Sequence, residues 1–124
     1  MDNRIIRKLG LSKIDKDCTV ERGRHVAFAF TKAGNILALE TNRRATHGNV
    51  TEWTLHAEEF LIKKLIKLRA RERFGTIDIL VARWDKMGGW RFSKPCVRCE
   101  LLMKSYGVRK ISYTNQDGEH VSLK

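Results

Sequence analysis

One histidine, one glutamate and two cysteines stand in this chain at spacings that suit hydrolysis at a metal. His56-Ala57-Glu58 sets an imidazole and a carboxylate two residues apart, and Pro95-Cys96-Val97-Arg98-Cys99 sets two thiols three apart. Hydrolysis at neutral pH needs water made nucleophilic. Zinc lowers the pKa of bound water from about 15.7 to about 7, provided that one coordination position stays open. His56, Cys96 and Cys99 are the candidate zinc ligands, and water would be the fourth. Two thiolates and an imidazole suit zinc better than magnesium or calcium, which take oxygen. With three ligands already present, Glu58 is the candidate catalytic residue. A carboxylate there would take a proton from water, deliver it to the substrate and later protonate the leaving group. Glu59 points about 100° further round a helix and is the weaker candidate.

Both segments are expected at helix starts. Cys96 follows Pro95, and proline is favoured there. Cys96 and Cys99 share one face of a first turn, where the partial positive charge of the helix end favours thiolates. Thr54 is the expected N-cap of the helix carrying His56. Two helix N-termini would then converge on one metal. A purely structural zinc needs a fourth protein ligand, for which Cys18, His25, His47 and His120 are available.

The order H-A-E … P-C-x-x-C is the signature of zinc nucleobase deaminases. On these residues the chain resembles the cytidine and deoxycytidylate deaminase superfamily, and the order of its elements extends the likeness over nearly the whole length. The resemblance implies an α/β, three-layer, cytidine-deaminase-like fold: a five-stranded mixed sheet flanked by helices. It implies one zinc ion and a hydrolase acting on a C–N bond, converting cytosine to uracil. It implies that the backbone near Ala57 and Cys96 holds the base. An Asn at the end of the second strand contacts sugar or base in that family, and Asn42 stands where it is expected. A turn Asn capping the strand end is an equal reading. Arg43 and Arg44 would suit a phosphate, or serve as solvated loop charges. Family members often form dimers or tetramers, so a homo-oligomer is expected. The chain departs from the pattern at residues 84–94, inserted between a strand and Pro95.

Lys plus Arg is 25 against 14 for Asp plus Glu, a net charge of +11. Such an excess favours an anionic partner: single-stranded RNA or DNA, a nucleotide phosphate or an acidic surface. At 124 residues the chain reads as one domain, 1–124. No apolar run approaches the roughly 20 residues of a membrane span, and the start lacks the apolar stretch of a signal peptide. Three cysteines, two claimed by a metal, argue against a disulfide scaffold and for a reducing compartment, the cytoplasm or a nucleus. Cys18 reads as a half-buried small residue.

The pattern predicts a short amphipathic helix ending near Gly10 and a hairpin of strands at 25–30 and 36–40 around Gly34-Asn35. A polar loop follows over 41–49, then a long helix over 54–74 stopped by Gly75. The third strand covers 76–83, and Gly88-Gly89 predicts a hairpin tip with Trp84, Trp90 and Phe92 on its arms. The second zinc helix covers 97–106. The fourth and fifth strands, 108–114 and 119–123, flank the turn Asn115-Gln116-Asp117-Gly118. That link leaves no room for a helix, so the pair is expected to be antiparallel. By resemblance this hairpin goes with free-nucleoside deaminases and some toxin-like or editing ones, although free-nucleoside enzymes commonly have Cys where His56 stands. The leading expectation is cytosine deamination in a nucleotide or polynucleotide. The alternatives are a free cytidine or deoxycytidine deaminase of salvage, an adenosine deaminase on RNA, and a non-catalytic nucleic-acid-binding module with structural zinc.

Overall fold

The computed structural model describes residues 2–17, 24–47, 50–68 and 71–123. Its elements run α1 (Asn3–Asp17), β1 (His25–Phe30), β2 (Ile36–Thr41), β3 (Arg43–His47), β4 (Val50–Leu55), α2 (Ala57–Lys67), a 3-10 helix (Arg71–Thr76), β5 (Asp78–Arg83), α3 (Val97–Ser105), β6 (Lys110–Thr114) and β7 (His120–Ser122). Five strands form one mixed sheet in the order β2-β1-β5-β6-β7. β1 pairs antiparallel with both β2 and β5, β5 pairs parallel with β6, and β6 pairs antiparallel with β7. The expected α/β architecture and the antiparallel fourth and fifth strands of the main sheet are both present.

The central strands β1 and β5 are apolar on both faces because both faces are covered. Ala27, Ala29, Ile79, Val81 and Ile111 meet Leu61, Leu65 and Met103 of α2 and α3. On the other face Val26, Phe28, Leu80 and Ala82 meet Ile6 and Ile14 of α1, with Trp84. The connection from β5 to the parallel β6 passes through α3, as a parallel pair requires. The β6–β7 link is a tight turn in which Asn115 Oδ1 accepts the N–H groups of Asp117 (2.9 Å) and Glu119 (3.0 Å). Gly118 sits there at φ +76°, with the Trp90 ring 3.1 Å from where a Cβ would project.

Three local expectations are corrected. First, α1 does not stop near Gly10 but continues to Asp17. Gly10 serves as a gap: a Cβ there would lie 2.4 Å from the Trp84 ring. Gly10→Ala should therefore lower stability by about 1–3 kcal/mol through overpacking. Helix propensity alone gives the opposite sign, a gain of about 1 kcal/mol. Thermal or urea unfolding distinguishes the two.

Second, the polar stretch after β2 is not a loop. Residues 43–47 pair antiparallel with 50–55 in a separate two-stranded ribbon, Arg43 opposite Leu55 and Arg44 opposite Thr54. Val-Thr-Glu-Trp-Thr-Leu is rich in β-branched and aromatic residues, which favour a strand over the start of a helix. Third, the long helix is consequently shorter. It spans Ala57–Lys67, and Gly75 belongs to the 3-10 helix that follows. That helix turns Phe74 into the core against Tyr106, ring centroids 5.2 Å apart.

The inserted segment forms the predicted hairpin tip. Trp84 and Trp90 make an isolated antiparallel bridge, with ring centroids 5.1 Å apart. Asp85 Oδ1 accepts the N–H groups of Met87 (2.9 Å) and Gly89 (2.8 Å). Trp84 is fully buried, so the insertion packs against the core at this arm, while Met87 is exposed at the tip.

Candidate metal centre

Two helix starts converge, as the motifs require. The N-cap of α2 is His56 itself, with extended φ/ψ of −79° and 155°; Thr54 lies in β4 and is not the cap. The Glu59 carboxylate reaches back to the His56 N–H at 3.2 Å. That is the reverse half of a capping box. The N-cap of α3 is Cys96, at −67° and 163°, whose sulfur accepts the Cys99 N–H at 3.5 Å.

Across the gap, His56 Nδ1 lies 3.2 Å from Cys99 Sγ and 3.6 Å from Cys96 Sγ. The ligand atoms of all three lie within 4.8 Å of one another. Tetrahedral zinc with ordinary bond lengths puts N and S ligands about 3.6 Å apart, and two S ligands about 3.8 Å apart. The His, Cys, Cys group therefore fits one metal ion in spacing and in chemistry. Both cysteines are free of disulfides. Among the described residues no fourth His, Cys, Asp or Glu joins the group. His25 and His120 are outside it, and His120 Nε2 lies 2.8 Å from Asn3 Oδ1 instead. His47 lies in β3, and Cys18 falls outside the described residues.

Glu58 is 4% exposed. Burial raises its pKa above the ordinary carboxylate value, against its backbone hydrogen bond, the charge of His56 and a hydrogen bond with Cys99. Burial likewise pushes the Cys99 thiol well up, with the Glu58 carboxylate adding to it. A coordinating cation reverses that effect. Glu59, one residue on, is engaged elsewhere: the oxygen that meets His56 N–H also accepts from Arg98 Nη2.

The substrate-side candidates fall as follows. Ala57 is buried as the first residue of α2. Asn42 lies between β2 and β3, buried, and its Oδ1 accepts the His25 N–H at 3.2 Å. The ribbon register pairs Arg43 with Leu55, so Asn42 and His56 come next along the two strands. Arg43 and Arg44 lie in β3 and not in a loop.

Ser93 escaped the sequence reading. It is buried three residues before Cys96; its hydroxyl reaches the Val81 carbonyl at 2.7 Å and accepts the Thr114 N–H at 2.8 Å. Its own N–H donates to Thr114 O at 3.0 Å. It thereby pins the approach to Pro95-Cys96 onto β5 and the end of β6. A serine in a linker carries no sequence signal for this. Ser93→Ala should cost about 1–3 kcal/mol, because the buried Thr114 N–H loses its acceptor. Chemical unfolding measures the loss, which a surface serine would not give.

No known protein-family model matches this chain, and no curated protein is similar enough to it to count as a relative.

Proposed function

We propose that this chain is a zinc-dependent hydrolase that removes the amino group from cytosine, leaving uracil, in a nucleotide or polynucleotide. The observation that carries the reading is a buried Glu58 carboxylate against Cys99, within a His, Cys, Cys group that fits one zinc ion. His56 Nδ1, Cys96 Sγ and Cys99 Sγ hold the ion. When bound, zinc supplies water acidified to a pKa of about 7. Glu58 carries the protons: it takes one from the water whose oxygen bonds to the ring carbon and delivers it to the ring nitrogen, then takes the second from the resulting hydroxyl and delivers it to the amino group as the C–N bond breaks and ammonia leaves. Its burial keeps bulk water from competing for that proton. Backbone groups at Ala57 and Cys96 orient the base, and Asn42, buried just after β2, holds the sugar. The +11 charge supports a phosphate-bearing substrate, reached across the basic surface as single-stranded RNA or DNA or as a nucleotide.

The antiparallel β6–β7 pair favours a second reading, a free cytidine or deoxycytidine deaminase. Turnover of cytidine, deoxycytidine monophosphate, single-stranded DNA and single-stranded RNA by the zinc-loaded chain separates them, with adenosine substrates as the control series. The proposal expects uracil from the phosphate-bearing substrates, with polymer binding that weakens steeply as salt rises. A neutral nucleoside is nearly insensitive to salt. Turnover of free nucleosides alone would replace the first reading by the second. Inosine from RNA alone would change the base.

A further inference from the structure

We propose that Glu59 and Arg98 are positioning residues, a clasp that sets the two ligand-bearing helix starts at metal-binding distance. The proposal rests on the metal-binding reading of His56, Cys96 and Cys99.

Each helix orders its own ligands. Glu59 fixes the His56 backbone, and Cys99 N–H fixes the Cys96 sulfur. Neither contact sets α2 against α3, and His56 and Cys96 are separated by 40 positions of chain. A three-ligand site needs that relative placement, since the ligand atoms of both helices must fall within about 4 Å of each other.

Glu59 Oε1 supplies it. The same oxygen accepts the His56 N–H and the Arg98 Nη2. Arg98 stands between the two cysteines on α3, so one carboxylate oxygen joins the backbone of the first ligand to the residue flanked by the other two. Arg98 is two-thirds exposed and Glu59 mostly buried. An ion pair at that exposure adds little to global stability. Its effect belongs on the metal, because partners that orient ligands typically change affinity by about 10–100-fold. Glu58 takes no part in the clasp.

The test is zinc affinity of the full chain, read by competition with a chromophoric chelator, for wild type, R98M, R98K, E59A and the double variant R98M/E59A. R98M is expected to bind zinc about tenfold more weakly. E59A is expected to lose at least as much, since it also removes the cap on His56. The double variant should bind no more weakly than E59A, and R98K should lie between R98M and wild type. Zinc-free thermal unfolding of R98M should stay close to wild type, which separates positioning from general destabilisation. R98M binding zinc like wild type, losses that multiply in the double variant, or a zinc-free unfolding loss large enough to account for the weaker binding would each overturn the clasp.

A zinc-independent readout keeps the two ideas apart. In the zinc-free chain, R98M should speed amide exchange in the first turn of α2 as well as that of α3. If wild type takes up no zinc while this cross-helix effect appears, the metal reading falls and the mechanical link stands. If exchange in α2 ignores Arg98, the clasp falls whatever the metal does.

Discussion

Glu58→Gln is expected to keep the fold and the zinc while losing deamination by at least about 10²–10⁴-fold, the range that a positioned proton carrier contributes. Glutamine matches the shape of glutamate and is not a base. The side chain is almost completely buried, and its burial already works against the charged form. The neutral isostere should therefore unfold at the same temperature as wild type, or higher. Zinc content should be unchanged, because the three ligand atoms belong to His56, Cys96 and Cys99. Loss of turnover with zinc and stability intact isolates the proton-transfer role. Wild-type turnover in this variant would remove Glu58 from the mechanism. A drop in zinc content would instead show Glu58 acting on the metal.

Cys99→Ser should abolish the metal site. The wild type is expected to bind one zinc per chain and to unfold at a higher temperature with zinc than after chelation. A ligand present at a hundred times its Kd stabilises by about 2.7 kcal/mol. Cys99 is fully buried in the first turn of α3, 3.2 Å from His56 Nδ1. A hydroxyl has neither the reach nor the softness of thiolate for zinc. The variant should bind zinc far more weakly than the roughly 100-fold loss expected from removing a supporting partner. Its unfolding should then be the same with zinc and with chelator. Elemental analysis of dialysed protein and paired melting curves check this. Zinc retained at one per chain by the serine variant would place the ion elsewhere.

The candidate site was more legible than the backbone leading into it. His-x-Glu and Cys-x-x-Cys carry fixed spacings, and a helix start turns such spacings into geometry within one turn, so the metal triad could be named from residue types. The apolar runs inside β1 and β5, residues 26–30 and 79–82, were readable for a related reason: strands buried on both faces have no polar alternation to confuse them. Residues 43–55 were not legible as a ribbon. Their strand character depends on pairing between β3 and β4, and the apolar periodicity of the adjoining helix runs into them without a break.

The sequence by itself determined what the chain can bind and where its helices present it: one imidazole and two thiols at two helix starts, with a carboxylate beside them and an excess of positive charge. Only the tertiary structure decided which groups hold those starts together. Glu59 was the lesser of two adjacent glutamates until α3 brought Arg98 to its carboxylate. Ser93 was an ordinary linker serine until folding brought Val81 of β5 and Thr114 of β6 to its hydroxyl. Gly10 was a helix stop until Trp84 filled the space beside it. The reason is common to all three. Ligand type and local spacing are properties of neighbouring residues, whereas a contact between segments separated by tens of residues exists only after the chain has closed around its core.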